Sequence, residues 1–281
     1  MKIPFFKYHG AGNDFVMIDN RSLQLPLFEP FVYQSWCNRK MGVGADGVIL
    51  LDYHLNSDFK MLYINANGVE GSMCGNGGRC IVAFAQFLGI IDKETEFMAY
   101  DGLHKAKIEE KTVAPPIEGI GNLVNWVALE MGDVDQIAVD KDQSADYVLD
   151  TGSPHYVQFV ESIEKVDVLG EGKKIRYNDH YKEKGVNVNF VEITENQTLN
   201  ICTYERGVEA VTLACGTGAT AAAMAYLKEK ETPDGKYTIQ LKTEGGPLEV
   251  SLTKKAADAY HNVWLKGPAV QVYSGELSIG E

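Results

Sequence analysis

Residues 73–89 read MCGNGGRCIVAFAQFLG and residues 214–230 read ACGTGATAAAMAYLKEK, and the likeness between these two stretches decides the fold. Each opens on Cys-Gly-x-Gly, at Cys74 and at Cys215, and continues as an apolar run of helical length. The first run stops at Gly89 and the second at Lys228-Glu229-Lys230, both ordinary helix-stop signals. The apolar side chains do not keep to one stripe: Ile81, Val82, Phe84, Phe87 and Leu88 surround the axis, as do the alanines from Ala219 to Ala225. A helix apolar on all sides is expected to be buried on all sides.

Working outward, each stretch is preceded by a short alternating run, residues 59–65 (FKMLYIN) and 199–204 (LNICTY), which reads as a strand. The two cysteines lie about half a chain apart, which suggests two related domains rather than a solenoid of short repeats. Further strands are expected at 47–51, 147–149, 156–160 and 186–190, the last with Asn187 and Asn189 on one face. The simplest architecture is α/β in the α+β sense: in each domain a central buried helix wrapped by sheet. The stretch Pro115-Pro116 to Gly121-Asn122 is the best boundary candidate. The expected domains are 1–120 with a C-terminal return of 268–281, carrying Cys74, and 121–267, carrying Cys215.

The 281 residues suit two domains, and a hydrophobic content of 45% supplies the core. A formal net charge of −13 argues against a nucleic-acid or anionic-membrane partner, because both need a basic patch. The first residues lack the flanks of a signal peptide, and no apolar run approaches a membrane span, so a soluble cytoplasmic protein is expected. Five cysteines without a CxxC suggest neither a disulfide framework nor a zinc ribbon. Cys37, Cys80 and Cys202 read as core, and Lys173-Lys174 and Lys254-Lys255 as solvated charge. Tyr147, Tyr156, Phe159 and Phe190 read as core strand residues.

A helix N-terminus offers unpaired N–H groups and a partial positive charge, and glycines let a ligand reach that backbone. A cysteine placed there has its thiolate favoured, with a pKa of roughly 3.5–7.5 against about 8.5 for a free thiol. The same N–H groups can hold a carboxylate. Two such elements facing each other would supply what inversion of a stereocentre needs: one acid/base group on each side of a carbon. Other readings of these residues are weaker. Residues 74–80 lack the P-loop pattern, and the GxGxxG match at 42–47 precedes a strand instead of following one.

With these motifs in place the chain resembles the diaminopimelate epimerases. The resemblance rests on residues 9–15 (HGAGNDF), Asn65 to Gly68, residues 73–80, residues 152–155 (GSPH), residues 204–207 (YERG) and residues 214–218, all in family order. It implies two pseudo-symmetric domains with the active site in the cleft between them, usually in a homodimer. The implied reaction is LL- to meso-diaminopimelate epimerisation, without pyridoxal phosphate or metal, in lysine and peptidoglycan precursor synthesis. Carried over by position, Cys74 and Cys215 are the acid/base pair, and Gly75-Asn76 and Gly216-Thr217 give backbone N–H groups to the reacting carboxylate. Asn13, Asn65, Asn187, Glu205 and Arg206 form the binding set, with Arg206 for the distal carboxylate. His155 and Glu205 tune the thiols. Three positions depart from the family pattern: Ser153 stands where many relatives have Asn, Gly47 where some have Gln, and Val211 where Glu is frequent. The loop from Arg206 to Cys215 is one residue longer than its commonest form. The competing functions are a racemase of proline-type substrates on the same fold, a non-catalytic amino-acid-binding protein, and a thiol redox protein working through a Cys74–Cys215 disulfide.

Overall fold

The computed structural model describes residues 1–71, 73–109, 124–140 and 146–278; the expected boundary stretch at Pro115–Asn122 lies outside the described residues. The chain divides into two units, Met1–Leu129 with Gly267–Glu281, and Glu130–Lys266. The fold is α+β, mostly sheet with few helices.

The first unit contains β1 (Lys2–Gly10), β2 (Asn13–Asp19), α1 (Pro30–Cys37), β3 (Gly47–Asp52), β4 (Phe59–Asn65), β5 (Glu70–Gly71), α2 (Gly75–Phe87), β6 (Glu94–Ala99), β7 (Gly102–Glu109) and most of β8 (Val124–Met131). The second contains β9 (Ala138–Asp140), β10 (Asp146–Asp150), β11 (Pro154–Phe159), α3 (Val168–Arg176), β12 (Asn187–Glu195), β13 (Thr198–Glu205), β14 (Ala210–Thr212), α4 (Gly216–Glu229), β15 (Gly235–Thr243) and β16 (Gly246–Lys255). The long β17 (Ala259–Ser278) begins in the second unit and ends in the first.

The pairing rules of the two units are the same. In the first, β1 and β2 are antiparallel, β2 and β3 parallel, β3 and β4 antiparallel, and β4 and β6 parallel; β6, β7 and β8 follow antiparallel. In the second, β10 to β13 repeat that order, β13 pairs parallel with β15, and β15, β16 and β17 follow antiparallel. A two- or three-residue strand, β5 or β14, hangs on the edge of β4 or β13 at the matching place. The end of β17 pairs with β1, and β17 also pairs with β8, which closes the strands into a barrel.

Each unit keeps one helix inside. Residues Gly75 to Ala85 of α2 are all buried, as is α4 from Gly216 to Leu227 apart from Thr217. The small side chains explain how a helix fits there: a Cβ on Gly77 would lie 3.0 Å from Ile49, and one on Gly78 2.8 Å from the sulfur of Met73. Phe87 departs from the expectation of burial on all sides, with 51% of its surface exposed. It occupies the last turn of α2, and its ring meets that of Phe6 edge-on at 5.3 Å between centroids. Gly89, at φ +70°, then ends the helix, with Ile90 N–H donating back to Ala85 O.

Lys254 is a second correction. Only 6% of it is exposed: its Nζ donates to Leu227 O (3.3 Å) in the last turns of α4 and to Thr232 O (2.8 Å) just beyond them, and pairs with Asp258 at 3.5 Å. Cys202 is half-buried instead of enclosed, whereas Cys37 and Cys80 are buried. Two surface helices carry no apolar period long enough to read. α1 starts at Pro30 in its first turn, and α3 is capped by Asp167, whose carboxylate accepts from Gly170 N–H at 3.0 Å.

Candidate active site

Strand register shows which positions of the two units are equivalent. In the first unit Phe15 stands beside Gly47, and Gly47 beside Asn65. In the second His155 stands beside Asn187, and the next pair, Val188 and Tyr204, sets Asn187 against Glu205. Asn13 and Ser153, Gly47 and Asn187, Asn65 and Glu205, Cys74 and Cys215, and Asn76 and Thr217 are therefore matched pairs. The expected site residues are thus not scattered: they fall on the same strand ends and the same helix start in both units.

In the first unit Cys74 is the residue before the first turn of α2, in extended backbone, and Gly78 N–H is the first to donate back, to Cys74 O at 2.7 Å. The N–H groups of Gly75 and Asn76 lie in the first turn of α2, ahead of that bond. Cys74 Sγ–H donates to Asn13 Oδ1 at 3.5 Å, and Asn76 Nδ2 donates to the same oxygen at 3.3 Å. The far end of each amide is tied down. Asn13 Nδ2 donates to Asp46 Oδ2 at 2.6 Å, and Asn76 Oδ1 accepts from Arg79 at 2.7 Å. A carboxylate can only accept and a guanidinium can only donate, so both amide orientations are chemically fixed. Arg79 is wholly buried and also donates to Gly75 O at 3.1 Å and Pro268 O at 3.4 Å.

Asp46 in turn holds Arg39 (2.6 Å), which forks onto Asp14 (2.7 and 3.0 Å), and Asp14 pairs with the buried Lys7 at 2.7 Å. Burial opposes ionisation of Asp14, but the bonds from Arg39 and Lys7 outweigh it and bring its pKa down to about 2. Asn65 stands at the end of β4 and donates to Val69 O at 3.2 Å across the turn closed by Gly68. Gly47 leaves no room for a side chain, since a Cβ there would lie 2.5 Å from the ring of Tyr63, which fills that space.

In the second unit Cys215 holds the same position before α4, and Ala219 N–H donates to its carbonyl at 2.9 Å. Its Sγ lies 3.5 Å from Thr217 Oγ1. That hydroxyl lies 2.9 Å from His155 Nε2 and 3.3 Å from Ser153 Oγ. His155 is fully enclosed; burial, with the Arg206 guanidinium adding to it, pushes its pKa down to about 3, so the ring is neutral. Asn187 Nδ2 donates to Ser153 Oγ and Pro154 O, both at 3.1 Å, and its Oδ1 accepts from Arg206 N–H at 2.8 Å. Asn187 is thus an internal strut that fixes the Arg206 backbone. Glu205 accepts from Thr212 Oγ1 at 3.0 Å, and Arg206 donates to Lys184 O at 3.0 Å. Ser153 is a working member of this network, and Val211 sits exposed on β14.

Four residues that hold these groups were not assigned roles from sequence: Asp46, Arg79, Asn189, whose Nδ2 lies 3.1 Å from His155 Nδ1, and Thr203, which donates to Asn189 Oδ1 at 2.9 Å. Arg79 lies inside the first cysteine motif, and Asn189 on the face of β12 that alternation shares with Asn187. Asp46 and Thr203 carry no local signal. Among the described residues no group of three or more His, Cys, Asp or Glu side chains is placed to hold a metal ion, and no helix is long and apolar enough to cross a membrane.

The family model for diaminopimelate epimerase matches residues 5–122 and 147–272. The diaminopimelate epimerase of Flavobacterium psychrophilum is 45% identical over 272 residues, covering 96% of this chain and 98% of the relative. That of Aquifex aeolicus is 38% identical over 287 residues, covering 98% of each. Among solved structures, a Bacillus anthracis phenazine biosynthesis protein of the PhzF family superposes with a TM-score of 0.75 at 14% identity, over 99% of this chain and 100% of that one. A hydroxyproline epimerase from Agrobacterium vitis, with trans-4-hydroxy-L-proline bound, gives 0.65 at 14% identity, over 100% and 93%. At these identities the two structures share the fold.

Proposed function

The chain belongs to the diaminopimelate epimerase family, and on that footing we propose that it interconverts LL- and meso-2,6-diaminopimelate, with Cys74 and Cys215 as the two acid/base groups. The observation that carries the reading is the repeated one: each unit places one cysteine immediately before the first turn of its buried helix, with glycines behind it.

In the proposed reaction one cysteine, as thiolate, takes the α-proton from one face of the substrate. The electron pair of the C–H bond spreads into the carboxylate, giving an enediolate-like state. The other cysteine, as thiol, delivers its proton to the opposite face, and the thiol and thiolate have exchanged places. No electrons are gained or lost, and the only net transfers are of protons between the α-carbon and the two sulfurs. The α-proton is very weakly acidic, and the N–H groups of Gly75-Asn76 and Gly216-Thr217 are suited to stabilise the charge that develops on the carboxylate. Asn13, Asn65 and the Glu205-Arg206 pair are assigned to the rest of the substrate, Arg206 to the distal carboxylate through its planar fork. Asn187 is assigned to the substrate with them and also holds the Arg206 backbone, while His155 and Glu205 set the surroundings of the thiols. A homodimer in the cytoplasm, serving lysine and peptidoglycan precursor synthesis, completes the reading.

The test is proton NMR of reduced protein with LL-diaminopimelate in D2O, beside Cys74→Ala and Cys215→Ala. Deuterium entering an α-position as the meso isomer forms, and reduced by roughly 10²–10⁴-fold or more in each variant, is the expected result. Turnover that survives loss of either cysteine would remove the two-thiol assignment.

A further inference from the structure

Thr203, Asn189 and His155, all buried, and the half-buried Thr217 form a hydrogen-bonded line that ends at Cys215, and its direction can be read. Asn189, on β12, is fully buried. Its Nδ2 donates to Tyr156 O at 2.9 Å. A carbonyl only accepts, so the nitrogen end of the amide must point that way, and Oδ1 is left to accept from Thr203 Oγ1 at 2.9 Å. The same Nδ2 lies 3.1 Å from His155 Nδ1. Facing a donor, Nδ1 of the neutral ring must accept, so the ring proton sits on Nε2. Nε2–H then donates into the pair Thr217 Oγ1 (2.9 Å) and Ser153 Oγ (3.0 Å). Ser153 Oγ already accepts from Asn187. Once Thr217 Oγ1 accepts from the imidazole, its own hydrogen is released from the ring and faces Cys215 Sγ at 3.5 Å, with Ser153 Oγ at 3.3 Å as the other acceptor in reach. In the other tautomer Nε2 would accept, and it would compete with Cys215 for the Thr217 hydrogen, with Ser153 as the other donor in reach.

We infer that Asn189 is a positioning residue for Cys215: by fixing the Nε2–H tautomer of His155 it turns the Thr217 hydroxyl into a donor to the Cys215 sulfur, which favours the thiolate. The inference rests on the proposed acid/base role of Cys215, but it is tested without substrate. The charged group that acts on His155 is Arg206, whose guanidinium favours the neutral ring and leaves the choice of tautomer to Asn189.

The experiment uses full-length protein labelled with ¹⁵N-histidine, the His155 signals being assigned by their loss in His155→Gln. Two-bond ¹H–¹⁵N correlation should show an unprotonated Nδ1 and a protonated Nε2. A protonated Nδ1 in the wild type overturns the inference and needs no variant to fold. In Asn189→Asp, a carboxylate in place of the donor should reverse the tautomer. The pH profile of alkylation of Cys215 by iodoacetamide, read by peptide mass spectrometry, should then move up by a unit or more, a tenfold or greater loss of rate at fixed pH below the midpoint, while the Cys74 profile stays. A folded Asn189→Asp protein with an unchanged Cys215 profile would also overturn it. Failure of the epimerase reading would appear instead in the D2O exchange assay.

Discussion

Asp46 Oδ2 accepts a 2.6 Å hydrogen bond from Asn13 Nδ2, and that bond decides which end of the Asn13 amide faces Cys74. With nitrogen held by the carboxylate, the oxygen is presented to the thiol and to Asn76. Asp46→Asn removes the obligate acceptor and lets the Asn13 amide turn over, placing an N–H where the sulfur now meets a carbonyl. A hydrogen bond to a charged group contributes about 1.5–3 kcal/mol. The expected loss in kcat/KM for diaminopimelate is therefore roughly 10–100-fold. Part of any fall in stability comes from Arg39, which loses one of its two carboxylates. The alkylation profile of Cys74 should shift while that of Cys215 does not; equal shifts at both thiols would show that Asp46 does not act through Asn13.

His155 ties stability to pH. Its folded pKa is depressed to about 3 from an ordinary 6.5, so below pH 6.5 the unfolded chain binds a proton that the folded chain refuses. The contribution is complete above pH 6.5 and is lost as pH falls towards 3. At about 1.4 kcal/mol per pH unit the loss reaches about 5 kcal/mol across that window. Burial lowers the pKa of His9 as well, which works in the same direction. Asp14, held at about 2 against an ordinary 3.8, adds its own loss only below about pH 4. Urea unfolding midpoints measured from pH 7 to 4.5 should fall steeply in the wild type and less in His155→Gln. Parallel slopes would assign the acid lability to other groups.

What the sequence announces in both halves of this molecule is what local pattern carries. The buried helices were legible because an apolar circumference and a Cys-Gly-x-Gly start are local patterns, and the strands at 59–65 and 199–204 because alternation is local too. Phe87 was misplaced because an apolar residue in the last turn looks the same whether the helix ends inside the sheet or beyond it. Lys254 was misplaced because a lysine in a strand carries no sign that the last turns of a helix and the carboxylate of Asp258 lie against it. Asp46 and Thr203 escaped notice for the same reason: each acts on a residue far away in sequence, and only register brings them together. Ser153 and Gly47, read as departures, are filled by context, the one by its bonds to His155 and Asn187, the other by the Tyr63 ring.

Arg79 gives a prediction about stability with a functional echo. Its guanidinium satisfies Gly75 O, Asn76 Oδ1 and Pro268 O from inside the first unit. Arg79→Lys keeps the charge but replaces a planar fork by a single ammonium that cannot reach all three oxygens. Leaving buried acceptors unpaired costs about 1–3 kcal/mol each. A fall in Tm of roughly 5–15 °C is expected by calorimetry, with loss of kcat/KM because Asn76 is freed to turn. A variant as stable as the wild type would mean that those oxygens are satisfied in some other way.

Gly218→Ala sets helix propensity against packing. Alanine in place of glycine in a helix ordinarily stabilises by about 1 kcal/mol. At Gly218 the new Cβ would fall on Asn189 Oδ1 and lie 3.3 Å from both Cβ and Sγ of Cys215. Asn189 cannot yield cheaply, because its amide is held by Tyr156 O and Thr203 Oγ1 in full burial. Overpacking of a filled interior costs about 1–3 kcal/mol. The net expectation is a protein less stable than wild type by up to about 2 kcal/mol, with kcat/KM lowered by a factor of ten or more because the displaced groups are those that set Cys215. Chemical denaturation and the epimerase assay read the two effects separately. A Gly218→Ala protein that gained stability and kept its rate would show that helix propensity prevails and that the space between Asn189 and Cys215 is not critical.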